Sequence, residues 1–121
     1  MDKEFQQLFD VLQEGISISW EKIVFYAAYF EDSYTMKFYV LNNGKYMDCF
    51  DITDEDSLIY TFDSIDKILN PSRIAMSPNK RWKVLTMNVD NNGNMKSEFE
   101  YNDISDNMVE YFKNWKEKYL V

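Results

Sequence analysis

"WEKIVFYAAYFEDSYTMKFYVLNNGKYMDCFDI", residues 20–52, decides the fold. Residues 21–30 are crowded with aromatic and β-branched side chains, the composition of a strand. The polar "EDS" at 31–33 interrupts the run and reads as a turn. Beyond it Tyr34, Met36, Phe38 and Val40 alternate with Thr35 and Lys37, which is the two-residue period of a second strand. "NNG" at 42–44 predicts a tight hairpin, because Asn and Gly tolerate the positive φ that such turns need. Residues 45–50 then return as a third strand.

Working outward, residues 2–14 read as a helix. Phe5, Leu8, Phe9 and Leu12 fall at i, i+3, i+4, i+7 on one apolar face, and Gly15 is a natural stop. On the other side, "TDEDSLIYTFDSIDKILNP" reads as a second helix. Thr53 is placed to cap it, and Asp54, Glu55 and Asp56 sit where the helix dipole favours negative charge. Leu58, Phe62, Ile65 and Leu69 form its apolar face, and Pro71 is expected to end it. "NPSRIAMSPNK" then reads as a loop with two prolines.

"RWKVLTMNVD", residues 81–90, predicts a fourth strand with Leu85, Met87 and Val89 on one face. "NNG" at 91–93 is a second hairpin turn, followed by a fifth strand. There Met95, Phe99 and Tyr101 point one way and Lys96, Glu98 and Glu100 the other. A third helix over roughly 104–119 carries Met108, Phe112, Trp115 and Tyr119 on one face, with Asp103 or Ser105 as its cap. The order is α-β-β-β-α-β-β-α. The fold class expected is α+β: an antiparallel sheet of about five strands with three helices packed on one face, in a single domain over 1–121.

Composition narrows the function. The chain has 121 residues, 45% hydrophobic and 17% aromatic, enough to fill one core and inconsistent with a disordered tail. Its net charge of −8 repels nucleic acid and anionic membranes and draws a basic partner. There is no histidine, which removes the commonest general base and the commonest zinc ligand. The lone Cys49 lies in an apolar run and reads as a small buried hydrophobe. "MDKEFQQLF" has neither a basic nor an apolar region of a signal peptide, and no apolar run reaches membrane-spanning length. A soluble protein that starts out in the cytoplasm is expected.

Four chemistries can be weighed on the residues. "DNNGN" from Asp90 places Asn92 and Asn94 at positions three and five of a calcium loop. The glycine falls at four rather than six, however, and position twelve is Tyr101 rather than Glu. A hairpin turn is the better reading. Carboxylate pairs such as Glu98 and Glu100 lie beside Lys96 on one strand face, with no sign of the enclosed pocket that acid–base catalysis needs. Scattered glycines supply no phosphate cradle, and the aromatics lack the interleaved basic residues of a nucleic-acid platform. What remains is acidic surface. Asp48, Asp51, Asp54, Glu55, Asp56, Glu98, Glu100 and Asp103 are the candidate contacts for a basic protein, because charge complementarity gives fast and selective association. No catalytic, metal or cofactor residue is nominated. A small α+β enzyme using carboxylates and a general acidic interaction module are the alternatives.

The ordered motifs resemble the YezG-like family of bacterial immunity proteins. The family pattern has a W-E-K strand opening, matched by Trp20, Glu21 and Lys22. A W-x-x-L-T-x-x-V strand follows, then a D-x-x-G turn into F-x-Y-[DN]-[DE]. Trp82, Leu85, Thr86, Val89, Asp90, Gly93, Phe99, Tyr101, Asn102 and Asp103 fit these. Trp115, Lys116, Lys118, Tyr119 and Leu120 match a terminal W-K-x-K-Y-L. The segment "NPSRIAMSPNK" departs, reading as a short loop where relatives often continue the helix. The resemblance implies an antitoxin of a polymorphic toxin, made by Gram-positive bacteria and often linked to type VII secretion. Such a protein binds the nuclease domain of its cognate toxin and holds it inactive in the producing cell.

Overall fold

The structure, a computed structural model, describes residues 2–121. Its elements run α1 (Asp2–Glu14), β1 (Lys22–Tyr29), β2 (Tyr34–Asn42), β3 (Lys45–Asp48), α2 (Cys49–Ile52), α3 (Glu55–Ile74), β4 (Val84–Asp90), β5 (Met95–Glu100) and α4 (Met108–Tyr119). The class is α+β as the sequence predicts, with one helix more than expected. The backbone forms two compact units. One is the segment ending at Ser19 together with Asp48–Arg81, the other Trp20–Met47 together with Trp82–Val121.

The second unit holds a five-stranded sheet in the order β3-β2-β1-β4-β5. β1 lies at its centre, antiparallel to β2 and β4, and β4 is antiparallel to β5. Tyr26 stands opposite Lys37 on one side and Thr86 on the other, and Thr86 stands opposite Glu98. Directly opposed residues share a face, so the pairing sets Val24, Tyr26 and Ala28 on the same face as Thr86, Lys37, Glu98 and Glu100. Both faces of β1 are buried from Ile23 to Tyr29, which explains its nearly unbroken apolar run.

The turns hold the register. Asn43 and Gly44 both have positive φ, 53° and 75°, which is the type I′ geometry suited to the twist of a two-residue hairpin. At the β4–β5 tip Gly93 donates to the Asp90 carbonyl at 3.1 Å, and Asp90 donates to the Asn94 carbonyl at 3.0 Å. Gly93, at φ 88°, takes the left-handed position that only a residue without Cβ adopts cheaply.

α4 lies on the Val24–Tyr26–Ala28 face. Trp115 is buried there with Tyr39, Val84 and Ile104. Its ring meets Tyr26 edge-on at 5.0 Å and stacks on Phe112 at 5.6 Å, while Nε1–H donates to Thr86 Oγ1 at 2.8 Å. Tyr119 is half-buried against the same cluster. On the opposite face Trp82 meets Tyr29 at 5.4 Å and Phe99 at 5.8 Å.

In the first unit α1 packs on α3, burying Leu8 and Leu12 of one and Leu58, Ile65 and Leu69 of the other. Ser72 Oγ donates to Glu4 Oε1 at 3.3 Å, and Thr53 Oγ1 donates to the Gly15 carbonyl at 3.2 Å. Gly15 follows α1 at a close approach: a Cβ there would meet Thr61 Oγ1 at 3.2 Å. Cys49 is fully buried.

β4 begins at Val84 rather than Arg81, and element ends differ from expectation at three further places, each for a local reason. Residues 49 and 50 do not continue the third strand. Asp48 accepts from the Phe50 N–H at 3.0 Å and caps the single turn α2, so Thr53 becomes its C-cap and Asp54 caps α3. Pro71 does not end α3, which runs on to Ile74. Proline forfeits the bond to the Lys67 carbonyl, but both residues are exposed, where water can satisfy it. Arg81 then takes the final carbonyls, donating to Ile74 O at 2.8 Å and Met76 O at 3.0 Å. The stretch read as a loop over 70–80 therefore begins with the last turn of α3 and ends in a single 3-10 turn at Pro78–Lys80. Finally, α4 begins at Met108 rather than near 104. Asp103 caps the turn before it, accepting from Ser105 N–H at 2.9 Å, and the N-cap of α4 is Asn107. Among the described residues no helix is long and apolar enough to cross a membrane.

Candidate functional site

The candidate carboxylates divide between the units. Asp48, Asp51, Asp54, Glu55 and Asp56 belong to the first, Glu98, Glu100 and Asp103 to the second. Within the first unit the α2–α3 junction gathers its five into one short stretch, because each helix begins on an acidic cap. Asp54 accepts from Ser57 N–H and Oγ–H, both at 2.8 Å, and these bonds hold its carboxyl below the usual range. Asp48 is tied to Phe50. Asp51, Glu55 and Asp56 are exposed.

The same stretch of chain carries large apolar side chains that are exposed. Phe50, Ile59 and Tyr60 are 61%, 60% and 73% exposed. On α3, Asp56, Ile59, Tyr60, Asp63 and Lys67 recur at i, i+3, i+4, i+7 and i+11, which makes one outward stripe. Lys67 and Asp63 pair on it at 2.9 Å. Ile59 and Tyr60 are absent from the sequence-derived candidates, yet the signal was available. They are large apolar residues off the Leu58–Phe62–Ile65–Leu69 face. Exposed aromatics rimmed by charge are the usual composition of an interface anchor.

In the second unit Glu98 and Glu100 share the β5 face with Thr86, as alternation predicts, but they are not simply solvated. Tyr119 OH donates to Glu98 Oε2, and Lys118 Nζ lies 3.9 Å from the same oxygen. Glu100 is half-buried and its Oε2 accepts from the N–H groups of Tyr101 at 3.0 Å and Asn102 at 3.2 Å. Together with Thr86, Tyr111, Lys118 and Tyr119 the two carboxylates line a hollow of about 400 Å³. Burial pushes the Tyr111 and Tyr119 phenols up to about 12, reinforced by the carboxylates beside them. The phenols therefore stay neutral donors at physiological pH. Lys118, in the same lining, already supplies a cation beside Glu98, so the hollow carries two carboxylates and one ammonium among aromatic walls. Asp103 stands beyond the strand end, held below the usual range by the Ser105 hydroxyl and N–H.

The loop that invited a calcium reading is a capped turn. Asp90 Oδ1 accepts from Asn92 N–H at 2.9 Å and Asn94 N–H at 3.0 Å, and Oδ2 accepts from the Asn94 amide at 2.9 Å. Among the described residues no group of three acidic, Cys or His side chains is arranged to hold a metal ion.

Residues 1–120 match the model of a protein family described as "Immunity protein YezG-like". No curated protein matches the chain at a significant level.

Proposed function

The chain belongs to the YezG-like immunity proteins, and on that premise we propose that it neutralises its cognate toxin by binding a basic nuclease domain. The family match over 1–120 carries the immunity role. The finer reading is supported by the exposed α2–α3 surface, where Phe50, Ile59 and Tyr60 stand among Asp51, Glu55 and Asp56. A nuclease must present cations to a phosphate backbone, and those cations are what an acidic surface attracts. The carboxylates steer and orient the encounter; the aromatics supply the apolar area that slows dissociation. The net charge of −8 adds a long-range pull on a basic partner and keeps nucleic acid itself away. Inhibition is by occupancy or distortion of the nuclease groove, in the cytoplasm of the producing cell, in a system of the type VII-linked kind. The protein acts by binding and performs no chemistry of its own.

The test uses the cognate toxin, inactivated at its catalytic site. Asp51→Asn, Glu55→Gln and Asp56→Asn together remove the charge while preserving shape. Association of this variant should be about tenfold slower at low salt and less salt-sensitive than wild type, since rim charges act on the on-rate. Tyr60→Ala should raise the dissociation rate instead. Wild-type kinetics for both variants would remove the α2–α3 surface from the interface.

A further inference from the structure

A second surface in the sheet unit has the opposite chemistry. Between the first turns of α4 and strands β1 and β2 runs a groove of about 320 Å³, floored by Tyr26, Phe30 and Phe112 and edged by Met108 and Val109. Met108 and Val109 are 43% and 82% exposed. Three lysines, Lys37, Lys113 and Lys116, also line it, and no carboxylate does. Lys37 and Lys116 lie with Nζ at 5.4 Å and 5.0 Å from the Phe112 ring, which holds their charges over the groove floor. In a chain of net charge −8 this is a local reversal of sign. The N-terminal end of α4, where Asn107 makes no side-chain cap, carries the positive end of the helix dipole. Glu110 is on that first turn but outside the groove lining.

We propose that this groove docks an acidic, apolar polypeptide segment of a partner protein, with large apolar side chains on the aromatic floor and flanking carboxylates on Lys37, Lys113 and Lys116. A basic segment would meet three like charges, and a segment without apolar side chains would leave the floor uncovered, so both properties are required. The inference stands apart from the toxin reading, whose carboxylates do not line the groove.

The experiment is amide chemical-shift mapping on the isotope-labelled full chain with three synthetic peptides of equal length. One spaces Leu and Phe at helical intervals among Glu residues, one replaces Glu by Lys, and one replaces Leu and Phe by Ser. The first alone should shift the amides of Lys37, Val109, Phe112 and Lys113, with a Kd below about 1 mM. Lys113→Glu with Lys116→Glu, both exposed, should weaken it about tenfold or more, and Val109→Ser should also weaken it, with spectra otherwise unchanged. No shift from the acidic apolar peptide at that concentration, or equal binding of the Lys peptide, overturns the proposal. Binding of dodecanoate at these residues without the peptide would reassign the groove to a small lipid anion. A dimer of this chain that covers them would reassign it to self-association.

Discussion

Replacing Trp115 by alanine should cost about 3–5 kcal/mol of folding stability, the range for removing a buried Trp. The side chain is 3% exposed and meets four rings: Tyr26, Tyr39, Phe112 and Tyr119, at 5.0, 5.9, 5.6 and 5.4 Å. Paired aromatics add about 0.5–1.5 kcal/mol beyond area burial, but the contacts share one side chain and do not sum. The polar part can be separated. Thr86→Val removes the acceptor at 2.8 Å and leaves the indole N–H buried without it, a cost of about 1–3 kcal/mol. Trp115→Phe with Thr86→Val removes both partners and should cost less than the two single changes combined. Urea unfolding followed by circular dichroism, with an unchanged m-value, measures each. A loss under about 1 kcal/mol for Trp115→Ala would refute the packing argument and assign the family-matching tail to something other than the core.

Three further outcomes are expected. Tyr26, Tyr111 and Tyr119 are each pushed up to about 12, chiefly by burial. A folded pKa raised above the unfolded value gives stability that is complete below pH about 10 and lost as pH rises through about 12, so phenolate absorbance should show a late-titrating fraction that coincides with alkaline unfolding; a single normal titration in the folded protein would contradict this. Calcium should leave the melting temperature unchanged, because turn N–H groups and the Asn94 amide already engage both Asp90 oxygens; stabilisation at micromolar calcium would overturn the turn reading. We also expect the chain to behave as one domain, with near- and far-ultraviolet dichroism losing signal in one coincident transition; two separate transitions would show the compact units unfolding independently.

The strands were legible because their signal is local and periodic. The alternation through Tyr34–Val40 and the two Asn-Gly turns need no knowledge of the rest of the chain. β2 and β5 lie where those patterns place them, while β4 ends where its turn places it and begins three residues later than expected. Helix boundaries were less legible because they depend on which side faces water. Pro71 reads as a terminator, yet on the exposed side of α3 it removes only a bond that solvent can replace. The turn α2 was hidden because "CFDI" has strand-like composition and only the Asp48 cap makes it helical. The candidate site was legible as charge and illegible as geometry. Asp48, Asp54, Glu100 and Asp103 are engaged by backbone N–H groups within a few residues, and nothing in a count of carboxylates distinguishes them from Asp51, Glu55 and Asp56.

The central position of β1 also sets a timescale. Its pairing with β2 is a short-range event, and isolated hairpins close in about 1–10 μs. Its pairing with β4 places Ile23 opposite Val89, 66 positions further along, and the whole of α3 lies in between. Loop-closure entropy must be met before those contacts contribute, so docking of the β4–β5 hairpin onto β1 is the step expected to govern the folding rate. On a ribosome, β1 and β2 emerge well before their third partner and wait with one edge of β1 open. For an immunity protein, the interval between synthesis of β2 and capture of β4 bounds how soon a new copy can protect the cell that made it.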